Sequence, residues 1–193
     1  MAAEKSKLKP TRKMQFRRRW EGKTDYKRRL ALLKSGKPRL VVRRSLKYIR
    51  AQIIVFDEHG DRTIVAANSG ALRALGWQFA CDNTPAAYLT GLMIGRAAKS
   101  KKINDAVFDT GLYFSTKGSK LYAVVKGAID AGLDVPCNTE IFPSEERISG
   151  KHIAAYDERF KELPKQFEKI KGKILGEKNK KVTKGEKSAK KKK

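Results

Sequence analysis

The sequence predicts a mixed α/β domain that carries a basic N-terminal arm and a C-terminal helical extension. Three observations predict it. Runs rich in β-branched residues, bounded by turn-forming residues, fill the stretch after Pro38. Two later segments place apolar side chains at helical spacing, with a short apolar run between them. Charge, finally, is stacked at the two ends: residues 1–50 hold 19 Lys and Arg against 3 Asp and Glu, and residues 169–193 hold 12 Lys against 2 Glu. The stretch 51–168, with 14 basic and 15 acidic residues, is the nearly neutral part that can bury a core.

Taken in order, residues 1–36 form the arm. It is poor in apolar side chains until Tyr26 to Leu33, where YKRRLALL has the composition of a short helix. Such an arm is expected to take its final shape on a binding partner. The α/β body is assigned to residues 37–140. Its opening strands are Pro38 to Arg44, Tyr48 to Asp57 and, after the turn EHGDR, Thr63 to Ser69. Short connections make these three an antiparallel meander. A helix begins at Thr84-Pro85, where Thr can cap and Pro suits the first turn, and Leu89, Leu92, Met93 and Ala97 share its face. Gly91 and Gly95 on that helix are expected to allow close packing on the sheet. Ala106 to Phe108 makes a fourth short strand. Leu121, Val124, Val125, Ala128 and Ile129 then define a second helix, ended by Gly132. Residues 141–168 read as a helical extension, with one helix through KHIAAYDERFKEL. Residues 169–193 read as a Lys-rich tail that cannot bury enough apolar surface to fold alone.

Charge concentrated in this way repels itself and calls for a polyanionic partner. A membrane surface is the weaker candidate, because no apolar run approaches the roughly 18 residues of a spanning helix and no apolar leader is present. A cytoplasmic location is therefore expected. Cys81 and Cys137 stand far apart in no metal-binding pattern and read as small buried apolar residues. Gly22-Lys23-Thr24 ends like a phosphate-binding loop, but Arg17 occupies the position where the first glycine is needed, and no strand precedes it. His59 and His152 are too scattered for acid–base work. Asp57, Asp61, Asp105 and Asp109 raise a rival reading, a metal-dependent nuclease with carboxylates on strand ends, against their reading as ordinary turn and strand-end residues. No cofactor, metal or enzymatic activity is expected.

Nucleic acid is the partner that the residues favour. Arg17, Arg18, Arg19, Arg28 and Arg29 offer forked donors suited to phosphate oxygens and base edges. Phe16, Trp20 and Tyr26 lie among them as faces for unpaired bases, and Lys23 and Thr24 are candidate phosphate contacts. Arg43, Arg44, Ser45, Lys47 and Arg50 extend the patch onto the first hairpin. The loop Ser115-Thr116-Lys117-Gly118 precedes a helix and can turn backbone N–H groups toward a phosphate, although plain capping explains the same residues. A less specific alternative is a general RNA chaperone, for which the charged ends alone suffice.

Several separate stretches carry a resemblance. FRRRWEGKTDYKRRLALLKSGKPRLVVRRS (16–45), AQIIVFD (51–57), NTPAAYLTGLMIGRAA (83–98), VFDTG (107–111), KGAIDAGLDVP (126–136) and IFPSEERISGKHIAAY (141–156) are similar, in order, to the archaeal 5S rRNA-binding protein of the large ribosomal subunit. That is the large-subunit protein eighteen family, whose eukaryotic relative is large-subunit protein five. The resemblance implies an α/β body of ribonuclease-H-like topology without a nuclease centre. It implies a structural protein that binds 5S rRNA and helps attach it to the subunit in the central protuberance. The partners it implies are 5S rRNA, 23S rRNA, the other 5S-binding large-subunit protein and neighbouring central-protuberance proteins. Carried over by position, the RNA contacts it implies are Arg17, Arg18, Arg19, Lys23, Thr24, Tyr26, Arg28 and Arg29, followed by Arg43, Arg44, Ser45 and Lys47. Thr116 and Lys117 are added from the loop reading above.

Overall fold

The computed structural model describes residues 15–176 of the chain. The first part of the arm (1–14) and most of the lysine-rich tail (177–193) lie outside the described residues. Within them, the arm contributes α1 (Arg17–Trp20) and α2 (Tyr26–Leu33). Asp25 starts α2: its carboxylate accepts from the backbone N–H of Lys27 and Arg28 at 3.0 and 3.1 Å, satisfying donors that a helix start leaves open. Neither helix contains a buried residue, as expected from so few apolar side chains.

The meander forms as the β-branched runs and short connections predict. Strands β1 (Arg39–Arg44), β2 (Ile49–Val55) and β3 (Arg62–Asn68) pair antiparallel in sequence. The fourth strand, β4 (Val107–Asp109), returns to pair in parallel with β1, giving the order β3-β2-β1-β4. Between β3 and β4 run a 3-10 segment (Ser69–Leu75) and α3 (Thr84–Ser100); α4 (Lys120–Asp130) follows β4. Leu40, Val42, Ala51, Ile53, Val65 and Ala67 alternate onto one face of the sheet and pack under α3 and α4. The alternate residues of β1, Arg39, Val41 and Arg43, point to the other face, and Val41 sits opposite Asp109 of β4.

Four expectations change in detail. Asn83, not Thr84, caps α3: its side chain accepts from Ala86 N–H at 2.9 Å, while Thr84 and Pro85 form the first turn. Gly91 and Gly95 pack against α4 and not the sheet. A Cβ on Gly91 would lie 2.1 Å from the Val124 carbonyl oxygen, so the two helix backbones meet at the glycines. The helix expected through 151–163 is broken into α6 (Lys151–Tyr156) and a 3-10 turn, because Asp157 is extended and its carboxylate accepts from Arg159 N–H at 2.9 Å. A short α5 (Glu145–Ser149) precedes it.

The fourth change is at the tail. Helix α7 (Leu163–Leu175) runs across the expected boundary at 168, so Lys169–Leu175 belong to the folded extension. Leu163, Phe167, Ile170 and Ile174 form a buried stripe on α3 while the intervening lysines face out. Cys81 is buried and Cys137 half-buried, and burial pushes the Cys137 thiol up from its ordinary value.

Candidate nucleic-acid interface

The open face of the sheet, unlike the face under α3 and α4, is built from charge. Arg39, only 4% exposed, sends Nη2 to Asp61 Oδ2 at 2.7 Å and Nη1 to Asp109 Oδ2 at 3.1 Å. Asp109 Oδ1 accepts from Arg43 Nη2 at 3.2 Å and from Gly111 N–H at 2.7 Å. Arg43 Nη1 donates to the carbonyl oxygens of Val42 and Asp109, each at 2.8 Å. Burial in low dielectric strengthens each pair and makes each unpaired charge costly, which is why the carboxylates are matched on both sides. The Nε of Arg39 is buried without a partner among the described residues.

The arm is seated on this network. Arg29 Nη2 donates to Asp61 Oδ1 at 2.9 Å, and Arg28 Nη1 to the Gly111 carbonyl at 2.8 Å. A cleft of about 250 Å³ remains between arm and sheet, lined by Arg18, Lys23, Arg28, Arg29, Arg39 and Arg43 with Asp25, Asp61 and Asp109. Six cations against three carboxylates leave it electropositive.

The sequence-predicted residues divide by what holds them. Arg18 Nε donates to Thr24 Oγ1 at 2.9 Å, so these two shape the turn between α1 and α2. Lys23 lies 2.8 Å from Glu21, and Arg17 lies 3.6 Å from the same carboxylate. Arg19 has no carboxylate within ion-pair distance among the described residues. Tyr26 packs against Phe16 with ring centroids 4.9 Å apart and planes tilted by 34°, while Trp20 is 82% exposed. Ser45 closes the β1–β2 turn: its hydroxyl donates to the Tyr48 carbonyl at 2.9 Å and accepts from Tyr48 N–H at 3.0 Å. Arg44 and Lys47 flank that turn. Thr116 and Lys117 are exposed on the loop after β4, which Tyr113 ties to β1 by donating to the Arg44 carbonyl at 2.9 Å. The arm thus meets the loop after β4 at Gly111, and that loop meets the β1–β2 turn at Arg44, where the parallel strands β1 and β4 end.

Sequence reasoning missed Arg39, and it took Asp61 and Asp109 for ordinary turn and strand-end residues. The available signal was an arginine at an alternating strand position with aspartates entering the same face. For the nuclease reading the geometry is adverse. Arg39 stands between Asp61 and Asp109, Asp105 is paired to Lys37 at 3.0 Å, and no cluster of potential ligands forms among the described residues. No helix there is long and apolar enough to cross a membrane.

Comparison with known proteins places these features in context. Residues 11–107 match the profile of a family described as ribosomal large subunit proteins 60S L5 and 50S L18. The chain is 52% identical over 158 residues to the large ribosomal subunit protein uL18 of Korarchaeum cryptofilum, covering 80% of this chain and 81% of that one. It is 49% identical to the protein of the same name from Methanococcus maripaludis, covering 80% and 82%.

Proposed function

The chain belongs to the family of large-subunit ribosomal proteins 60S L5 and 50S L18, and from that membership we propose that it binds 5S rRNA and helps fasten it to the large subunit in the central protuberance. As a member of that family it is a structural component of the large subunit and not an enzyme, with ribosomal RNA and ribosomal proteins as its partners. The finer partners proposed are 5S rRNA, 23S rRNA, the other 5S-binding large-subunit protein and its neighbours in the central protuberance.

One observation supports the reading most: a cation-dense arm seated on the open sheet face, continuous with the β1–β2 turn and the loop after β4. Arg17, Arg19, Lys23, Arg44, Lys47 and Lys117 supply phosphate contacts, and the counterions they release supply affinity. Thr116 adds a hydroxyl and backbone N–H beside Lys117. Trp20 and the Phe16–Tyr26 pair offer aromatic faces to unpaired bases, where RNA sequence is read. Arg28, Arg29 and Arg43 act differently: their guanidinium groups already hold the arm and the loop, so they fix the geometry in which the others meet the RNA. Arg18, Thr24 and Ser45 shape the two turns.

The test is binding of the full chain to 5S rRNA and to a length-matched RNA duplex across a salt series. A preference for 5S rRNA that persists at high salt, and falls when residues 1–36 are removed, is the expected result. Equal binding to both RNAs, lost together as salt rises, would overturn it and leave only electrostatic attraction.

A further inference from the structure

We propose that Phe114 is a base-stacking residue, set beside the arginine-bearing end of β1 to receive one unpaired base of the bound RNA. The inference rests on the reading of the chain as a 5S rRNA binder and adds a contact within that reading. The loop after β4 is fixed on both sides of Phe114. Gly111 N–H donates to Asp109 at 2.7 Å, and the Gly111 carbonyl accepts from Arg28 at 2.8 Å. Tyr113 donates to the Arg44 carbonyl at 2.9 Å, and beyond Phe114 the N–H of Gly118 donates to the Ile141 carbonyl at 2.8 Å. Between these anchors the Phe114 side chain is 92% exposed. A ring carried on a tied-down backbone and bare to water is placed for a partner and contributes nothing to the core.

Charge selects the partner. The Arg44 guanidinium lies 5.1 Å from the Tyr113 ring centroid, directly before Phe114 in the chain, and Lys117 follows three residues on. Among the described residues no carboxylate lies within ion-pair distance of Arg44, Lys47 or Lys117. An apolar protein pocket would take the ring and leave these cations uncompensated. A single-stranded RNA loop supplies a π face for the ring and phosphates for the cations together.

The experiment compares wild type, Phe114→Ala, Phe114→Trp and Lys117→Gln for binding to 5S rRNA across a salt series, with chemical probing of unpaired bases on the RNA. Phe114→Ala is expected to weaken binding about five- to a hundredfold, the range for one lost stack, with an unchanged salt slope because the ring carries no charge. One unpaired base should lose its protection in the same variant, and Phe114→Trp should restore both. Lys117→Gln has the opposite signature, a shallower salt slope with the protected base retained. An unaltered melting temperature for Phe114→Ala shows that the loss is not misfolding. Binding by Phe114→Ala within about twofold of wild type, with every protected base unchanged, overturns the proposal and gives the ring to a protein neighbour. Should wild type itself fail to prefer 5S rRNA over a duplex, the underlying reading falls and the stacking contact falls with it.

Discussion

Nη2 of Arg39 lies 2.7 Å from Oδ2 of Asp61, joining the buried guanidinium of the first strand to the turn that opens β3. Through Nη1 the same group holds Asp109 on β4. One side chain on an inner strand thus ties the β2–β3 turn to the edge strand β4, and Arg29 uses the other oxygen of Asp61 to seat the arm. Sheet and arm share a single charge network.

Removing Arg39 should therefore cost far more than a surface ion pair. Arg39→Ala leaves Asp109, which is buried, with Arg43 and the Gly111 N–H alone. The expected loss is about 3–5 kcal/mol, read from the urea unfolding midpoint. Arg39→Lys should recover only part, since one ammonium cannot bridge two carboxylates as a planar fork does. A loss below about 1 kcal/mol for Arg39→Ala would mean that the network does not hold the sheet.

Close approach of α3 and α4 makes Gly91 intolerant of any side chain. An alanine Cβ there would sit 2.1 Å from the Val124 carbonyl oxygen, so the helices must separate. Gly91→Ala is expected to destabilise by about 2–3 kcal/mol. Gly172, inside α7, is the internal control: nothing lies within 4 Å of its added Cβ. Gly172→Ala should stabilise by about 0.8 kcal/mol through helix propensity alone. Thermal melts of the two variants should move in opposite directions, and a shift in the same direction would refute the packing argument.

These cases mark what local sequence reveals. The strands, α3 and α4 were legible because each is set within a few residues, the strands by β-branched runs such as Val41-Val42 between turn residues and the helices by their periodicity. The arm's arginines were legible as a cluster, because cations among aromatics stand out in any window. What could not be read was pairing at a distance. Asp61 and Asp109 look like turn residues until the fold brings Arg39 between them, 22 and 70 positions away. The boundary at 168 failed for another reason: lysines between Phe167, Ile170 and Ile174 obscured an apolar stripe that the spacing does contain.

Tyr88 should give the protein a distinctive alkaline instability. Its hydroxyl donates to Asp130 at 2.8 Å, and burial, then that hydrogen bond, raise the phenol above its ordinary value of 10.0. A group whose folded value is raised contributes stability that is complete below the unfolded value and is lost as pH climbs toward the folded one. Wild type should thus lose stability above pH 10 more steeply than Tyr88→Phe, which itself should cost about 1 kcal/mol at neutral pH. Urea midpoints on either side of pH 10 test this. Parallel curves for the two proteins would show that Tyr88 ionises as freely folded as unfolded.

The arm itself should detach cheaply. Its helices bury no residue, and the side-chain hydrogen bonds that join α2 to the body are those of Arg28 to Gly111 and Arg29 to Asp61. Half-exposed pairs of this kind contribute about 0.2–1 kcal/mol each. Arg29→Gln should then speed tryptic cleavage within residues 15–36 about two- to fivefold, following the larger open population, while the body keeps its melting temperature. Added salt should narrow the difference between variant and wild type, because screening weakens the wild-type pair toward the variant's condition. If the whole protein melts earlier in Arg29→Gln, the guanidinium is part of the body's own stability and the arm is not a separable element. If cleavage is unchanged at low salt, Arg28 and backbone contacts suffice to hold the arm, and Arg29 is free to meet phosphate.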